Sequence, residues 1–353
     1  MTAPAVVVGV GMMTAVGVTA AETAASVRAA TMRFTETPIR DQRFEPFTLA
    51  EVPEDGLPGL SEEVEATPGL TSREMRMLRL CTMPLREALA MLEGKAGPPP
   101  LVLALPETET TRPLDGKAFL GHLAQQVGGA FDLARSDASH RGRAGGLSAI
   151  GQSVELIGRG KAKLVLAGGL DSYRDLYVLG TMDMEKRVKS AAHMDGFVPG
   201  EGAGFVLLAD RGAAAAAGLK PLAGISQAAA GFEKGHLYSA EPYRGDGLAL
   251  TVGKLAKSGA APVPFEEVYS SMNGESHWAK EWGVTGIRNR AFLHHDYRMN
   301  HPSDCYGDVG SAAGLLMVGL AVLGIKAGYR RGPCLVYGSS DRGQRAAVAL
   351  TAT

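Results

Sequence analysis

Cysteine is scarce in this chain: Cys81, Cys305 and Cys334 are the only three in 353 residues. The number is odd and the spacing fits no ligand set, so neither a disulfide framework nor a closed zinc site is expected. Reduced thiols of a cytoplasmic protein fit better. A charge excess is missing too. There are 36 Lys and Arg against 37 Asp and Glu, a formal net charge of −1 with the signs interspersed, which gives no polyanion-binding surface. No apolar run is long enough to cross a bilayer, and "GLLMVGLAVLGI", residues 314–325, reads as a buried helix. The apolar start, "MTAPAVVVGVGMMTAVG", carries no basic residue before Arg28 and is broken by glycines, so a strand and turn are expected there rather than a signal peptide.

What the chain has in quantity is glycine, 46 residues gathered into short turn-like words, the mark of an α/β protein with tight connections. Residues 5–10 (AVVVGV) read as a buried strand. Residues 19–30 read as a helix, with Thr19 and Glu22 as a capping box. Thr35 to about Pro68 is rich in proline and acidic residues and weakly periodic, a surface excursion. Residues 72–93 form an amphipathic helix with Ser72 as cap, and a strand follows at 101–105. Further along, the pattern gives a helix at 148–159 with Ile150, Val154 and Ile157 on one stripe, and a strand at 161–169. Residues 196–218 read as glycine turn, strand and helix. A helix near 244–258, a strand at 266–271, a buried helix at 311–325 and two closing strands complete the chain. Strands alternate with helices twice over, which argues for two packed α/β halves with a seam near residue 215.

Four ordered stretches carry a family resemblance. "AVVVGVGMMTAVGVTAAETAASVRA" resembles the opening of β-ketoacyl-acyl-carrier-protein synthases of the thiolase superfamily. "GLSAIGQSVELIGRGKAKLVLAGGLDS" (146–172) is similar, without a gap, to that family's nucleophile helix and following strand. "MDGFVPGEGAGFVLLAD" (194–210) resembles its "RDGF…GEGAG" segment, and "GDVGSAAGLLMVGLAV" (307–322) its "GH…GAAG" loop and helix. The resemblance implies the five-layered αβαβα thiolase fold, α/β in class, made of two pseudo-equivalent halves and usually dimeric. The halves are expected at 1–214, with a surface insert at about 35–70, and at 215–353.

The family's chemistry uses a cysteine activated at a helix N-terminus and two histidines that stabilise an enolate. By the resemblance the cysteine falls on Arg143, the first histidine on Asn273 and the second on Asp308, and a lysine falls on Ser303. The phenylalanine and "GGTN" of the closing loop fall on Tyr337 and on "GSSD", Gly338, Ser339, Ser340 and Asp341. A guanidinium stays protonated and cannot attack an acyl group, and a carboxylate at 308 would repel an enolate. No ordinary condensation or decarboxylation mechanism remains, and no cofactor or metal is implied. Arg143 and Asp308 would face one another across the old pocket. Either they form a charge-assisted pair that plugs it, or Arg143 reaches solvent and Asp308 caps the next helix.

Other residues invite weighing. Cys305 lies three residues before Asp308, but a lone thiol is more often a small core hydrophobe. "HHDYRMNH" (294–301) with Asp304 fits no closed zinc pattern. Asp195 and Glu201 bracket a glycine turn and read as turn and strand-edge residues. Trp278 and Trp282, one helical turn apart, are either core or an exposed anchor. Arg141, Arg143, Lys186, Arg187 and Lys189 are candidates for a basic rim facing acyl carrier protein, and the acidic insert at 51–66 is either a partner surface or a loop. The expected function is that of a noncatalytic ketosynthase-like protein working through protein binding. Two routes are open: a chain-length-factor-like partner of an active synthase, or an adaptor, since degenerate synthase-like proteins occur beside type VI secretion effector genes. The rival reading is an acyltransferase or synthase-like enzyme with a remodelled pocket.

Overall fold

The apolar run that opens the chain becomes the strand on which both halves are built. In the computed structural model, which describes residues 5–108, 113–261 and 263–353, β1 (Ala5–Thr14) is buried along its whole length. It is followed by α1 (Ala20–Arg28), β2 (Thr35–Arg40), β3 (Pro46–Leu49), α2 (Glu62–Glu65), α3 (Ser72–Leu89), β4 (Leu101–Leu105), α4 (Gly116–Gln126) and β5 (Asp137–His140). Then come α5 (Gly145–Gly158), β6 (Leu164–Ser172), α6 (Leu176–Met184), β7 (Glu201–Asp210) and α7 (Arg211–Ala216). The remaining elements are β8 (Ala223–Phe232), α8 (Asp246–Lys257), β9 (Phe265–Ser270), α9 (Ser276–Arg288), β10 (Leu293–Asn300), α10 (Ser303–Tyr306), α11 (Ala313–Lys326), β11 (Cys334–Ser339) and β12 (Gln344–Thr351).

Ten strands run in the order β10-β9-β11-β12-β8-β1-β7-β6-β4-β5. Cut between β8 and β1, this gives two half-sheets with the same internal order: the third strand of each half lies at the edge and the first at the seam. The halves meet through a short antiparallel pairing, Ala5 opposite Ile225 to Val7 opposite Ala223. Between them lie α5 and α11, which are apolar over most of their surface and share one core with the inward faces of the sheets, including Leu147, Ile150, Leu315, Val318 and Val348. A helix apolar nearly all round has to be buried on all sides, and the layer between two sheets meets that need. Outside, α3 and α4 cover the first half-sheet with Met77, Leu78, Phe119 and Leu123, and α8 and α9 cover the second with Leu248, Val252 and Trp282. The result is the αβαβα layering expected from the sequence.

Local chemistry moves several boundaries. The cap of α3 is Thr71, not Ser72. Thr71 is extended, its hydroxyl accepts the Glu74 N–H, and the Glu74 carboxylate takes the Thr71 N–H at 2.9 Å, so Ser72 is already helical. Thr19 caps α1, but Glu22 reaches past it to the Val18 N–H. The nucleophile-type helix begins at Gly145, three residues earlier than expected, and Val154 is only partly buried while Ile150 and Ile157 are core. The strand expected at 161–169 runs Leu164–Ser172 because 159–163 turn the chain. The 35–68 excursion is ordered: β2 and β3 pair as a hairpin, and Phe47, Leu49, Val52, Leu57 and Val64 are buried. Its acidic part is tied down by Glu54, which pairs with Arg76 at 2.7 Å and with Arg79. The histidine-rich stretch is β10, the far edge strand, and among the described residues no cluster of three metal-ligating side chains occurs. None of the described helices is long and apolar enough to span a membrane.

Candidate functional site

Two similar turns aim the site. Each central helix is entered by one turn of 3-10 helix that opens on a left-handed glycine, Gly142 (φ 53°) before α5 and Gly310 (φ 50°) before α11. A side chain at Gly310 would strike the Asp171 carboxylate, and one at Gly142 would press on Glu107, so both positions demand glycine. The first turn directs Arg143 inward, where only 4% of it is exposed.

Each of its three guanidinium nitrogens has a partner. Nε donates to the Ser339 carbonyl at 2.9 Å, Nη1 to Asp308 Oδ2 at 2.8 Å, and Nη2 to Asp341. The Trp278 ring lies 4.5 Å away, a cation–π contact. Asp308 Oδ2 also accepts from Asn273 Nδ2 at 2.7 Å, while its Oδ1 takes the Gly310 N–H at 2.8 Å. Asp308 therefore does both things weighed above: it pairs with Arg143 and it caps the turn into α11. Asn273 Nδ2 is also 3.0 Å from Glu275 Oε2. Glu275 accepts two bonds of 2.8 Å from Arg187, and Arg187 Nη1 donates to Asp341 Oδ2 at 2.7 Å. Arg143, Asp341, Arg187, Glu275, Asn273 and Asp308 thus close a ring of six buried side chains. Two guanidiniums face three carboxyl groups and one amide.

Electrostatics fix the protonation of most of the ring. Burial disfavours both guanidinium charges, yet Asp341 with Asp308 on one side and Asp341 with Glu275 on the other hold Arg143 and Arg187 above their ordinary values. Burial opposes ionisation of Asp341 and Glu275 as well. The two arginines reverse this for Asp341, and Arg187 does so for Glu275, so both stay below the usual carboxylate range.

Arg187 arrives by a strained route. Helix α6 ends with the Arg187 N–H on the Met182 carbonyl and the Lys186 N–H on that of Asp183, a Schellman motif. Its left-handed residue is Lys186 (φ 59°), where glycine would cost nothing and a side chain costs about 1–2 kcal/mol. The bidentate contacts of Arg187 hold the strain in place.

Glu107 stands beside the ring, lining a cavity of about 20 Å³ with Arg143, Asp171, Tyr173 and Asp341. Burial first, and then the charge of Asp341, push its carboxyl up to about 7, against the weaker pull of Arg143 and Arg342. The folded state then holds a proton between pH 4.5 and 7 that the unfolded chain has released. Stability should fall as pH rises through that window. Urea midpoints measured from about pH 5 to 8 are expected to decline in the parent and to flatten in Glu107→Gln; a parallel decline in both would assign the slope to another group.

Several sequence expectations change. Ser303 lies beside the ring, its Oγ donating to the Met272 carbonyl at 2.5 Å, and lines a second cavity of about 10 Å³ next to Asp308. Tyr337, Gly338 and Ser339 line neither cavity. Tyr337 is directed to the outer layer, stacked on Trp282 with ring centroids 4.9 Å apart, and Gly338 packs on the Arg143 backbone. Ser339 gives its carbonyl to Arg143 and its hydroxyl to Glu281, which is itself paired with the buried Arg345. Of the basic rim, Arg143 and Arg187 are buried in the ring, and only Arg141, Lys186 and Lys189 are exposed. Trp278 and Trp282 are core. Glu201, 1% exposed, is a structural node that accepts from Arg76, Ser172 and Val52, and Asp195 accepts the Ser276 N–H and hydroxyl at the start of α9. Cys305 is buried, which raises its thiol above the ordinary value. Sequence reasoning left out Asp341, Arg187 and Glu275 as partners. No sequence signal joins them to Arg143, because Asp308 alone balances its single charge and the three lie on separate connections of the chain.

Several solved structures share this fold. The sequence model of the β-ketoacyl synthase N-terminal domain matches residues 142–214, from the Arg143 turn to the end of β7 and into α7. Among curated proteins none matches. The ishigamide ketosynthase/chain length factor superposes over 100% of both chains with a TM-score of 0.78 at 17% identity. A type II polyketide synthase acyl-carrier protein in complex with its ketosynthase, AntDE:AntF, matches over 100% of both chains with a TM-score of 0.77 at 15% identity. An oxazolomycin ketosynthase domain of Streptomyces albus JA3453 matches over 99% of this chain and 75% of its own, with a TM-score of 0.77 at 17% identity. The fold is the thiolase fold. Within it, residues 142–214 are similar to the β-ketoacyl synthase N-terminal domain.

Proposed function

We propose that this ketosynthase-like protein is noncatalytic and works by binding other proteins, as a chain-length-factor-like partner of an active synthase. The observation that carries the reading is the closed ring. Arg143 occupies the position that the resemblance assigns to the nucleophile, and its guanidinium is held charged by Asp308 and Asp341. Asn273 and Asp308, at the histidine positions, are bonded to each other instead of being free to donate to an oxyanion. The two cavities flanking the ring, about 10 and 20 Å³, hold one water molecule at most each, and an acyl chain has no room there. The three thiols are buried and unpaired, in keeping with a cytoplasmic setting.

Native mass spectrometry on the protein isolated gently from its own cells tests this. The expected result is a complex with a cysteine-bearing synthase and no acyl group on this chain. A secretion effector or chaperone in place of the synthase would move the protein to the adaptor role. A covalent acyl adduct would overturn the noncatalytic reading in favour of a remodelled acyltransferase.

A further inference from the structure

Helices α8 and α9 cover the second half-sheet with their inner sides and leave an aliphatic centre on their outer sides. Leu250 on α8 is 71% exposed, and Ile287 on α9 is 79% exposed. Single exposed aliphatics are ordinary, but these two flank one seam. Asn289 Nδ2 donates to the Ala249 carbonyl at 3.0 Å, and Arg288 pairs with Asp246, one turn before Leu250. Each aliphatic is thus next in sequence to a residue that ties the helices together, Ile287 to Arg288 and Leu250 to Ala249. Gly283, one turn before Ile287, is exposed with open space where a side chain would begin, so the face is low there.

Charge on the same two helices is one-sided. Helix α8 carries Asp246, Lys254 and Lys257, and α9 carries Lys280, Glu281 and Arg288. Glu281 is buried against Arg345, and Asp246 is taken by Arg288, so neither acid is left for the other cations. Lys254, Lys257 and Lys280 are exposed, as is Arg290 just past α9, and none of the four pairs with a carboxylate among the described residues. Lys254 and Lys257 follow Leu250 at one and two turns, on its side of α8. Asp195, close enough to Lys280 to feel its charge, is held by the Ser276 N–H and hydroxyl. In a chain of net charge −1, this is a local excess of cations around an aliphatic centre.

We propose that the outer face of α8 and α9 docks an acidic amphipathic helix of another protein. Leu250 and Ile287 meet the apolar stripe of that helix, and Lys254, Lys257, Lys280 and Arg290 meet the carboxylates beside it. The acidic α2 of a second copy does not fit, since its four residues span about 6 Å and the two helices stand about 8–10 Å apart. A bilayer is a poor occupant, because two aliphatic side chains give little to insert. Nucleic acid would match the cations but leave the aliphatic centre uncovered. Neither Leu250 nor Ile287 belongs to the ring, so the inference does not depend on the noncatalytic reading.

The test is fluorescence anisotropy of the full chain with a labelled peptide of about 18 residues, long enough to be helical. The peptide has leucines at i, i+3, i+4 and i+7 and glutamates on its other face, and a twin carries lysines in place of the glutamates. The acidic peptide should bind saturably and more weakly as salt is added, and the basic twin should not bind. Leu250→Gln with Ile287→Gln should raise the dissociation constant about tenfold or more, as loss of central anchors does. Lys254→Gln with Lys257→Gln should raise it about threefold or more. All four positions are exposed, so both double variants should unfold at the parental temperature. No saturable binding of the acidic peptide, equal binding of its twin, or indifference to both double substitutions would each overturn the proposal. So would binding to phosphatidylserine vesicles, lost in the same variants, in place of the peptide.

Discussion

Putting cysteine back at the nucleophile position, Arg143→Cys, is expected to yield no acyl transfer and to lower stability by about 3–5 kcal/mol, the usual effect of removing one member of a buried charge pair. A thiol is too short to reach the groups the guanidinium now joins, the Ser339 carbonyl, Asp308 and Asp341. Asp308 would keep only neutral donors, the Asn273 amide and the Gly310 N–H, and Asp341 would depend on Arg187 alone. Chemistry would not return, because Asn273 offers a single engaged amide and a carboxylate at 308 opposes any developing enolate. Urea denaturation gives the stability, and intact mass after incubation with an acyl thioester gives the chemistry. A variant of parental stability that gains the mass of one acyl group would refute both halves of the expectation.

Asp341→Asn should be comparably damaging. Asp341 is the one carboxylate of the ring that touches both guanidiniums, and its replacement leaves two buried cations with Asp308 and Glu275 as their only formal counter-charges. A loss of about 3–5 kcal/mol is expected at neutral pH. The sign of the pH dependence follows from the depressed carboxyl of Asp341. Its contribution is fully present above the ordinary carboxylate range and disappears only when acid brings the pH down to its own lower value. The gap between parent and variant should therefore stay wide from about pH 8 to 5 and narrow in stronger acid. The substitution also removes the charge that helps raise Glu107, so the decline of stability between pH 4.5 and 7 should shallow. A gap below about 1 kcal/mol at neutral pH, the scale of an exposed pair, would mean the ring does not support the fold.

The sequence disclosed the layers better than the partners. Fully buried elements such as β1, β6 and α11 read clearly because an unbroken apolar run between glycines is stable only when covered on every side. β5 and β10 escaped: both are edge strands, short or rich in polar residues, with no alternation strong enough to separate them from loop. Helix α6 escaped for a different reason. It is apolar toward the core through Val178, Leu179 and Met182, and apolar again on the exposed side through Leu176, Tyr177 and Met184, so it has no amphipathic signature. The meeting of Arg143 with Asp308 could be anticipated from the family pattern. Arg187, Glu275 and Asp341 could not, since they come from three separate connections that only the packed halves bring together.

The placement of the two tryptophans has an experimental consequence. Trp278 and Trp282 are the only indoles in the protein and stand one turn apart on α9. One lies under the Arg143 guanidinium and donates its Nε1–H to Glu275, and the other is stacked on Tyr337. All the tryptophan emission of the protein therefore originates from a single helix, with one emitter touching the ring. An intensity change would report the seating of that ring, with no label attached, while events confined to the first half-sheet would stay dark.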